Sequence, residues 1–109
     1  MISVRIGLEN QFYHTLLVRG HAPGKFGVKG ENILCAAVSV LSQTLLLVLL
    51  EDNNAIIFEN QPGNLSFEIK SPTEKSNIQF EFLFKGLKNL ESQYRDIIKI
   101  EIKGEDDGT

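Results

Sequence analysis

The sequence predicts a single α+β domain in which two helices pack against a mostly antiparallel sheet. Three of the five predicted strands alternate apolar and polar residues, which is typical of strands with one buried face, and the other two are predicted as their hairpin partners. Two longer segments are predicted as helices: one is apolar on nearly all sides, and the other repeats apolar residues at spacings of three and four. These segments follow one another in the order ββαββαβ, and that order favours a two-layer sandwich.

The first two strands are predicted at residues 2–8 and 12–19. The turn between them contains Asn10, a residue type that tolerates positive φ. Alternation is clear in the first strand, so one of its faces should be buried. In the second strand both faces carry apolar residues, and the pattern therefore does not decide which face meets the core.

The first helix is predicted to begin near Glu31 or Asn32 and to end near Leu50. Asn32 is a good N-cap, and Glu31 complements the positive end of the helix dipole. The helix is apolar on nearly all sides, so the second helix or a second subunit must cover the part that the sheet leaves open. Its apolar run is long enough to span a membrane, but polar residues such as Ser39 and Gln43 within it favour a core helix.

The second half of the chain repeats a hairpin followed by a helix. Strands are predicted at residues 55–59 and 65–70, around a turn at residues 61–64, and a last strand at residues 98–102.

Thr73 or Ser76 can cap the second helix, which should reach about Gln93. We expect one domain over residues 1–103 and a flexible acidic tail over residues 104–109.

Composition narrows the possible functions. The 109 residues suit one domain, and the net charge of −3 comes without a cluster of Lys and Arg, so direct nucleic-acid binding is not expected. A single cysteine cannot form an internal disulfide, which fits a reducing compartment. The first residues alternate like a strand and do not resemble a signal peptide, so we expect a cytoplasmic protein with no membrane association.

Cys35 and His21 are the residues that the sequence offers for nucleophilic catalysis. The thiolate is the reactive form of cysteine, and an ordinary cysteine is only about 3% thiolate at neutral pH. An imidazole can take the proton, and the unpaired N–H groups in the first turn of a helix can stabilise negative charge. Cys35 is predicted to lie in that first turn, where the same groups can hold the oxyanion of an acyl intermediate.

Each candidate residue also has a structural interpretation. Cysteine is among the most buried residue types, so Cys35 can be a core residue. His21 can be a histidine of a surface loop. Ser39 lies one turn after Cys35 and can bond either the site or its own helix backbone. Asn32 can orient His21 or act only as a cap.

No metal or cofactor is expected. His14 lies on a predicted strand far in sequence from the other candidates, and a structural role is the simpler interpretation. His14, His21 and Cys35 are residue types that bind zinc, but their spacing matches no recognised zinc motif.

Two motifs resemble the ribosomal-processing cysteine protease (Prp) family of bacteria. They are Gly-His-Ala at residues 20–22 and Gly-Glu-Asn-Ile-Leu-Cys-Ala-Ala-Val-Ser at residues 30–39, joined by a loop that contains further glycines. The family pattern reads Gly-His-Ala, a short loop, and then approximately Gly-x-Asp-Ile-Val-Cys-Ala-Ala-Val-Ser. Chain length and element order agree with the family over nearly the whole chain.

The resemblance implies a cysteine endopeptidase that removes the N-terminal extension of a large-subunit ribosomal protein. By the same resemblance, Cys35 is the nucleophile, His21 is the general base, Gly20 shapes the turn at His21, and Ser39 supports the site. The family is also seen as homodimers, which would cover the apolar helix. The loop would order over the substrate, and its candidate contact residues are Ala22, Pro23, Gly24, Gly27 and Gly30.

One position departs from the family pattern. The family usually has Asp where this chain has Asn32. A carboxylate there would stabilise the imidazolium of His21, whereas an amide can only orient the ring. Three hypotheses therefore stay open: a cysteine endopeptidase, a non-catalytic module on the same fold that binds a ribosomal protein, and a structural dimer with Cys35 in its core.

Overall fold

The computed structural model describes residues 1–20 and 29–104, with the side chains of residues 29–32 left out of the description. The predicted α+β class and the order ββαββαβ are confirmed. The elements are β1 (Ile2–Glu9), β2 (Phe12–Arg19), α1 (Lys29–Glu51), β3 (Ala55–Gln61), β4 (Asn64–Ile69), α2 (Glu74–Gln93) and β5 (Ile98–Lys103). Of the predicted acidic tail, only Gly104 falls within the described residues.

The five strands form one sheet in the order β3-β4-β2-β1-β5. The pairing of β1 with β5 is parallel and the other pairings are antiparallel, as expected for a mostly antiparallel sheet. Alternate residues of β1 are buried, and the residues between them face solvent. The two helices contact each other and cover the buried face, so the core lies between a layer of strands and a layer of helices.

A bulge in β2 decides which of its faces meets the core. Leu16 and Val18 are buried, and the face to which they belong packs under the helices. The pairing with β1 then skips His14, so that Tyr13 lies opposite Leu8. A bulge of this kind moves the following side chains to the other face. Residues from both faces of β2 therefore contribute to the core, so the alternation pattern alone does not show which face is buried.

From this position Tyr13 contacts α2 and attaches it to the sheet. Its ring stacks on Phe80 with the centroids 4.4 Å apart, and its backbone N–H donates to Asn77 Oδ1 at 2.9 Å. Its hydroxyl donates to the carboxylate of Glu81. Burial, helped by the hydrogen bond and the charge of Glu81, raises the pKa of Tyr13 well above its ordinary value.

Helix α2 begins as predicted and packs closely on α1. Thr73 is its N-cap and exchanges hydrogen bonds with Ser76 in a capping box. Gly86 lies in the middle of the helix, where glycine is unfavourable. A Cβ at Gly86 would lie 2.9 Å from Leu41 Cδ1 of α1, so the glycine permits the close approach of the two helices.

Helix α1 begins earlier than predicted, at Lys29. Asn32 is therefore the fourth residue of the helix and not its N-cap, and Gly30 belongs to the helix and not to the loop. A helix that is already formed gains a backbone hydrogen bond with each added residue, so it can extend back through residues of low propensity. The stretch Ile33–Glu51 is long and apolar enough to cross a membrane, and one third of it is buried within the protein.

Candidate active site

Cys35 is the seventh residue of α1 and lies in its second turn. The predicted position in the first turn is wrong because the helix starts earlier. The N–H groups without intrahelical partners belong to the first turn, and the effect of the helix dipole fades beyond it. Cys35 therefore lies beyond the turn in which these unpaired N–H groups are found.

A cleft of about 540 Å³ opens beside Cys35, which is half-buried and packs against the core. Helix α1 forms one wall, and the turn between β3 and β4 forms the other. The floor is made by buried apolar side chains from the strands and the helix, namely Ile2, Val18, Val38 and Leu65. Among the described residues, no side chain with a formal charge lines the cleft. An extended, uncharged peptide segment matches this lining.

Gly20 lies on the same cleft as Cys35, at the point where the chain leaves β2. Its φ is +99°, which an L-residue rarely adopts, and a Cβ there would lie 2.2 Å from the carbonyl oxygen of Met1. Its N–H donates to the carbonyl of Gly63 at 2.9 Å. The predicted role of Gly20 in shaping the turn before His21 thus has a steric reason.

Several predicted site residues lie outside the described part of the chain. They are His21 and four residues of the predicted substrate loop, Ala22, Pro23, Gly24 and Gly27. The side chain of Asn32 is outside it too. The structure therefore gives no distance between the imidazole and the sulfur, and it brings together Gly20, Cys35 and Ser39 on one cleft.

Two serines of α1 line the cleft below Cys35. Ser39 is exposed. Ser42 is only 1% exposed, and its Oγ has no hydrogen-bond partner among the described residues. Buried polar atoms in native proteins usually have partners. Cys35, Ser39 and Ser42 are spaced by four and three residues, a signal in the sequence that would have placed Ser42 on the same helix face.

The polar rim of the cleft was missed by sequence reasoning. Gln43 of α1 and Asn60 of β3 line the cleft and bond each other across its end. The β3–β4 turn was predicted as a turn but not as part of a site. Only the pairing of β4 with β2, in which Arg19 lies opposite Asn64, brings this turn beside Gly20.

His14 lies apart from the cleft. Its Nε2 is 3.6 Å from a carboxylate oxygen of Glu9 and 3.7 Å from one of Glu68. Within residues 1–20 and 29–104 no group of three or more His, Cys, Asp or Glu side chains is arranged to hold a metal ion.

The fold is similar to those of three solved structures. A Streptococcus mutans protein named SMU.848 matches with a TM-score of 0.77 and 24% identity over 95% of each chain. The essential ribosomal processing protease Prp from Staphylococcus aureus, in complex with a covalently linked product peptide, matches with a TM-score of 0.76 and 18% identity. The same protease in complex with a substrate peptide gives 0.74 and 16%. Both of these matches cover 94% of this chain and 100% of the other.

A family model that matches the sequence identifies the family of this chain. No match was found among curated protein sequences. The family model described as cysteine protease Prp matches residues 1–99, which includes every element up to the start of β5. The motifs at residues 20–22 and 30–39, the cleft beside Cys35 and the shared fold agree with this match. The chain belongs to the cysteine protease Prp family.

Proposed function

We propose that this chain is a cysteine endopeptidase with Cys35 as nucleophile and His21 as general base, and that it removes the N-terminal extension of a bacterial large-subunit ribosomal protein. The observation that carries the proposal is that Cys35 shares one cleft with Gly20, the residue that precedes His21. Membership of a cysteine protease family supports the reaction class. The S. aureus relative, a ribosomal processing protease seen with a substrate peptide, supports the substrate class.

In the proposed reaction His21 takes the proton of the Cys35 thiol, and the sulfur attacks the scissile carbonyl carbon. The carbon–nitrogen bond then breaks, His21 gives the proton to the leaving amine, and the N-terminal fragment stays on sulfur as a thioester. A water molecule, deprotonated by His21, attacks the thioester, releases the fragment as a carboxylate and restores the thiol.

The lining of the cleft suits a peptide segment without charged side chains. Its floor is apolar, so an apolar side chain of the substrate gains free energy by burial there. Its rim consists of neutral hydroxyl and amide side chains, which can bond peptide N–H and C=O groups. A charged residue at this position of a substrate would lose its hydration with no partner of opposite charge among the described lining residues.

Mass spectrometry of the ribosomal protein tests the proposal. The full-length substrate is incubated with the wild-type chain and with Cys35→Ala, and the intact masses are followed over time. One cut in the N-terminal extension, made by the wild type alone, is the expected result. Equal cleavage by both proteins would contradict the assignment of Cys35.

A non-catalytic binding module on the same fold is the second candidate. One observation favours it: Cys35 lies beyond the first turn of α1. The motif resemblance adds that Asn32 is an amide at a position where that resemblance implies a carboxylate. This candidate predicts that the folded chain binds the ribosomal protein, that no cleavage product forms, and that alkylation of Cys35 leaves binding unchanged. Isothermal titration with the alkylated and unmodified chains separates the two functions.

We also propose a homodimer that buries the outer face of the two helices. Val40 and Leu47 of α1 are 65% and 61% exposed, and Ile78 and Phe82 of α2 are 63% and 76% exposed. A groove lined by Val40, Phe82 and neighbouring residues runs between the helices. A helix that is apolar on both its inner and its outer face requires a cover on both, and a twofold dimer would provide one with the same patch on each subunit.

A further inference from the structure

One wall of the cleft beside Cys35 lies at the edge of the sheet. That wall is the β3–β4 turn, and in the described part of the chain β3 is an edge strand that pairs with β4 alone. The pairing of β3 with β4 skips Phe58, so the strand is irregular just before it reaches the cleft. Phe58 is 61% exposed, and the outer side of β3 is therefore unsupported by packing. Edge strands of this kind hold their position less firmly than central strands.

Beyond the pairing of β4 with β2 and β3, two polar contacts among the described residues join this wall to the rest of the site. At one end the Gly20 N–H donates to the Gly63 carbonyl at 2.9 Å, which ties the turn to β2. At the other end the side chains of Gln43 and Asn60 bond each other reciprocally. Gln43 Nε2 donates to Asn60 Oδ1 at 2.8 Å, and Asn60 Nδ2 donates to Gln43 Oε1 at 3.3 Å. This pair, which we call the amide latch, joins the wall to α1, the helix that carries Cys35.

We propose that Gln43 and Asn60 are positioning residues that set the width of the cleft beside Cys35. Both residues line the cleft, and they come from its two opposite walls. An amide pair holds the walls together without introducing a charge into a cleft whose described lining has none. This inference rests on the proposed function for the identity of the peptide that enters the cleft. The effect of the latch on the width of the cleft does not depend on which peptide enters it.

The first test is steady-state cleavage of a synthetic peptide that spans the N-terminal extension of the ribosomal protein. Asn60→Ala should raise KM about 3- to 10-fold, the range expected for losing exposed neutral hydrogen bonds, and change kcat less than twofold. Asn89→Ala is the matched control, because Asn89 accepts a comparable bond from Gln93 on the surface of α2. It should leave both constants unchanged.

Charged variants show whether KM depends on the contact between Gln43 and Asn60 or changes with any substitution at these two positions. Asn60→Asp keeps an acceptor for the Gln43 amide and should retain a KM near that of the wild type. The double variant Gln43→Glu with Asn60→Asp places two carboxylates together and should raise KM as much as Asn60→Ala does. Gln43→Lys with Asn60→Asp replaces the amide pair by an ion pair and should restore KM.

A second readout does not depend on proteolysis. Cys35 is alkylated with iodoacetamide, which is small, and with N-phenylmaleimide, which is bulky and apolar, and the ratio of the two rates is measured. Opening of the latch in Asn60→Ala should raise the relative rate of the bulky reagent about threefold or more, and the Lys–Asp pair should reverse the change. A change in this ratio without peptide cleavage by any variant would retain the latch and reject the proposed function. Wild-type values of both the ratio and KM in Asn60→Ala and in the double carboxylate variant would overturn the latch.

Discussion

Gly20 shows how one residue without a side chain can define a site. Its positive φ and the nearby Met1 carbonyl leave no room for a Cβ, and its N–H fixes the β3–β4 turn. Glycine is required sterically at the first position of the Gly-His-Ala motif, and this requirement is independent of any catalytic role.

Replacement of Gly20 by Ala should destabilise the fold and impair the cleft together. Because Ala must adopt a strained φ and displace the Met1 carbonyl, we expect a loss of about 2 kcal/mol in the free energy of unfolding. Urea denaturation measures it. Gly104→Ala is the control, since a Cβ at Gly104 would meet nothing within 4 Å. Equal stabilities for the two variants would contradict the steric argument.

The second prediction for a single residue concerns the stability of the protein without the Ser42 hydroxyl. The buried Ser42 hydroxyl has no partner among the residues that the structure describes. Because such a group carries a desolvation cost, Ser42→Ala should be neutral or stabilise the protein by about 1 kcal/mol. Thermal and urea unfolding measure the change, and Ser39→Ala, at an exposed position, provides the reference. A loss of more than about 1 kcal/mol would mean that the hydroxyl has a partner in solution.

At the scale of elements, the order and type of the strands and helices follow from the sequence, because most of their periodic patterns are strong. The start of α1 does not, since cooperative extension of a helix overrides the weak propensities of Gly30 and Asn32. The bulge at His14 does not either, because it depends on which residues of β1 lie opposite. Cys35 and Gly20 could be found from their motif, whereas the Gln43–Asn60 contact requires the position of β3.

The attachment of α2 to β2 through Tyr13 should depend on pH. The folded protein raises the pKa of Tyr13, so the unfolded chain loses this proton at lower pH. The stabilisation is therefore complete below the ordinary tyrosine pKa of 10.0 and is lost as the pH rises above it. Tyr13→Phe should cost about 1 kcal/mol at neutral pH, through the lost bond to Glu81, and should then lose less stability than the wild type in alkali.

Urea unfolding at neutral pH and at about pH 11 measures both effects, with Tyr94→Phe as the matched control. The control should lose stability in alkali as the wild type does. Parallel losses in the wild type and in Tyr13→Phe would show that Tyr13 is not responsible.

At the scale of the whole molecule, the outer face of the two helices is an exposed apolar surface of the described residues. The inner face of α1 is covered by the sheet, and the outer face exposes large side chains of both helices. Exposed apolar patches of this kind commonly mark interaction sites. The homodimer proposed for this family member gives the patch a partner and leaves the cleft on a separate surface.

Phe82→Glu should convert the dimer to a monomer. Phe82 is 76% exposed in the groove between the helices, and a carboxylate there could not be buried against a second apolar patch. Sedimentation velocity over the micromolar range measures the change. Phe58→Glu, on the exposed edge strand β3, should remain dimeric. A wild type that sediments as a monomer throughout would reject this dimer.

The most direct measurement for the central claim is detection of the thioester on Cys35. The wild-type chain is mixed with the ribosomal protein, quenched in acid within the first turnover, digested and analysed by mass spectrometry. We expect the peptide that contains Cys35 to gain the mass of the N-terminal fragment less one water, and Cys35→Ala to show neither adduct nor cleavage. Cleavage that proceeds in the Cys35→Ala variant, with no adduct in the wild type, would contradict the account.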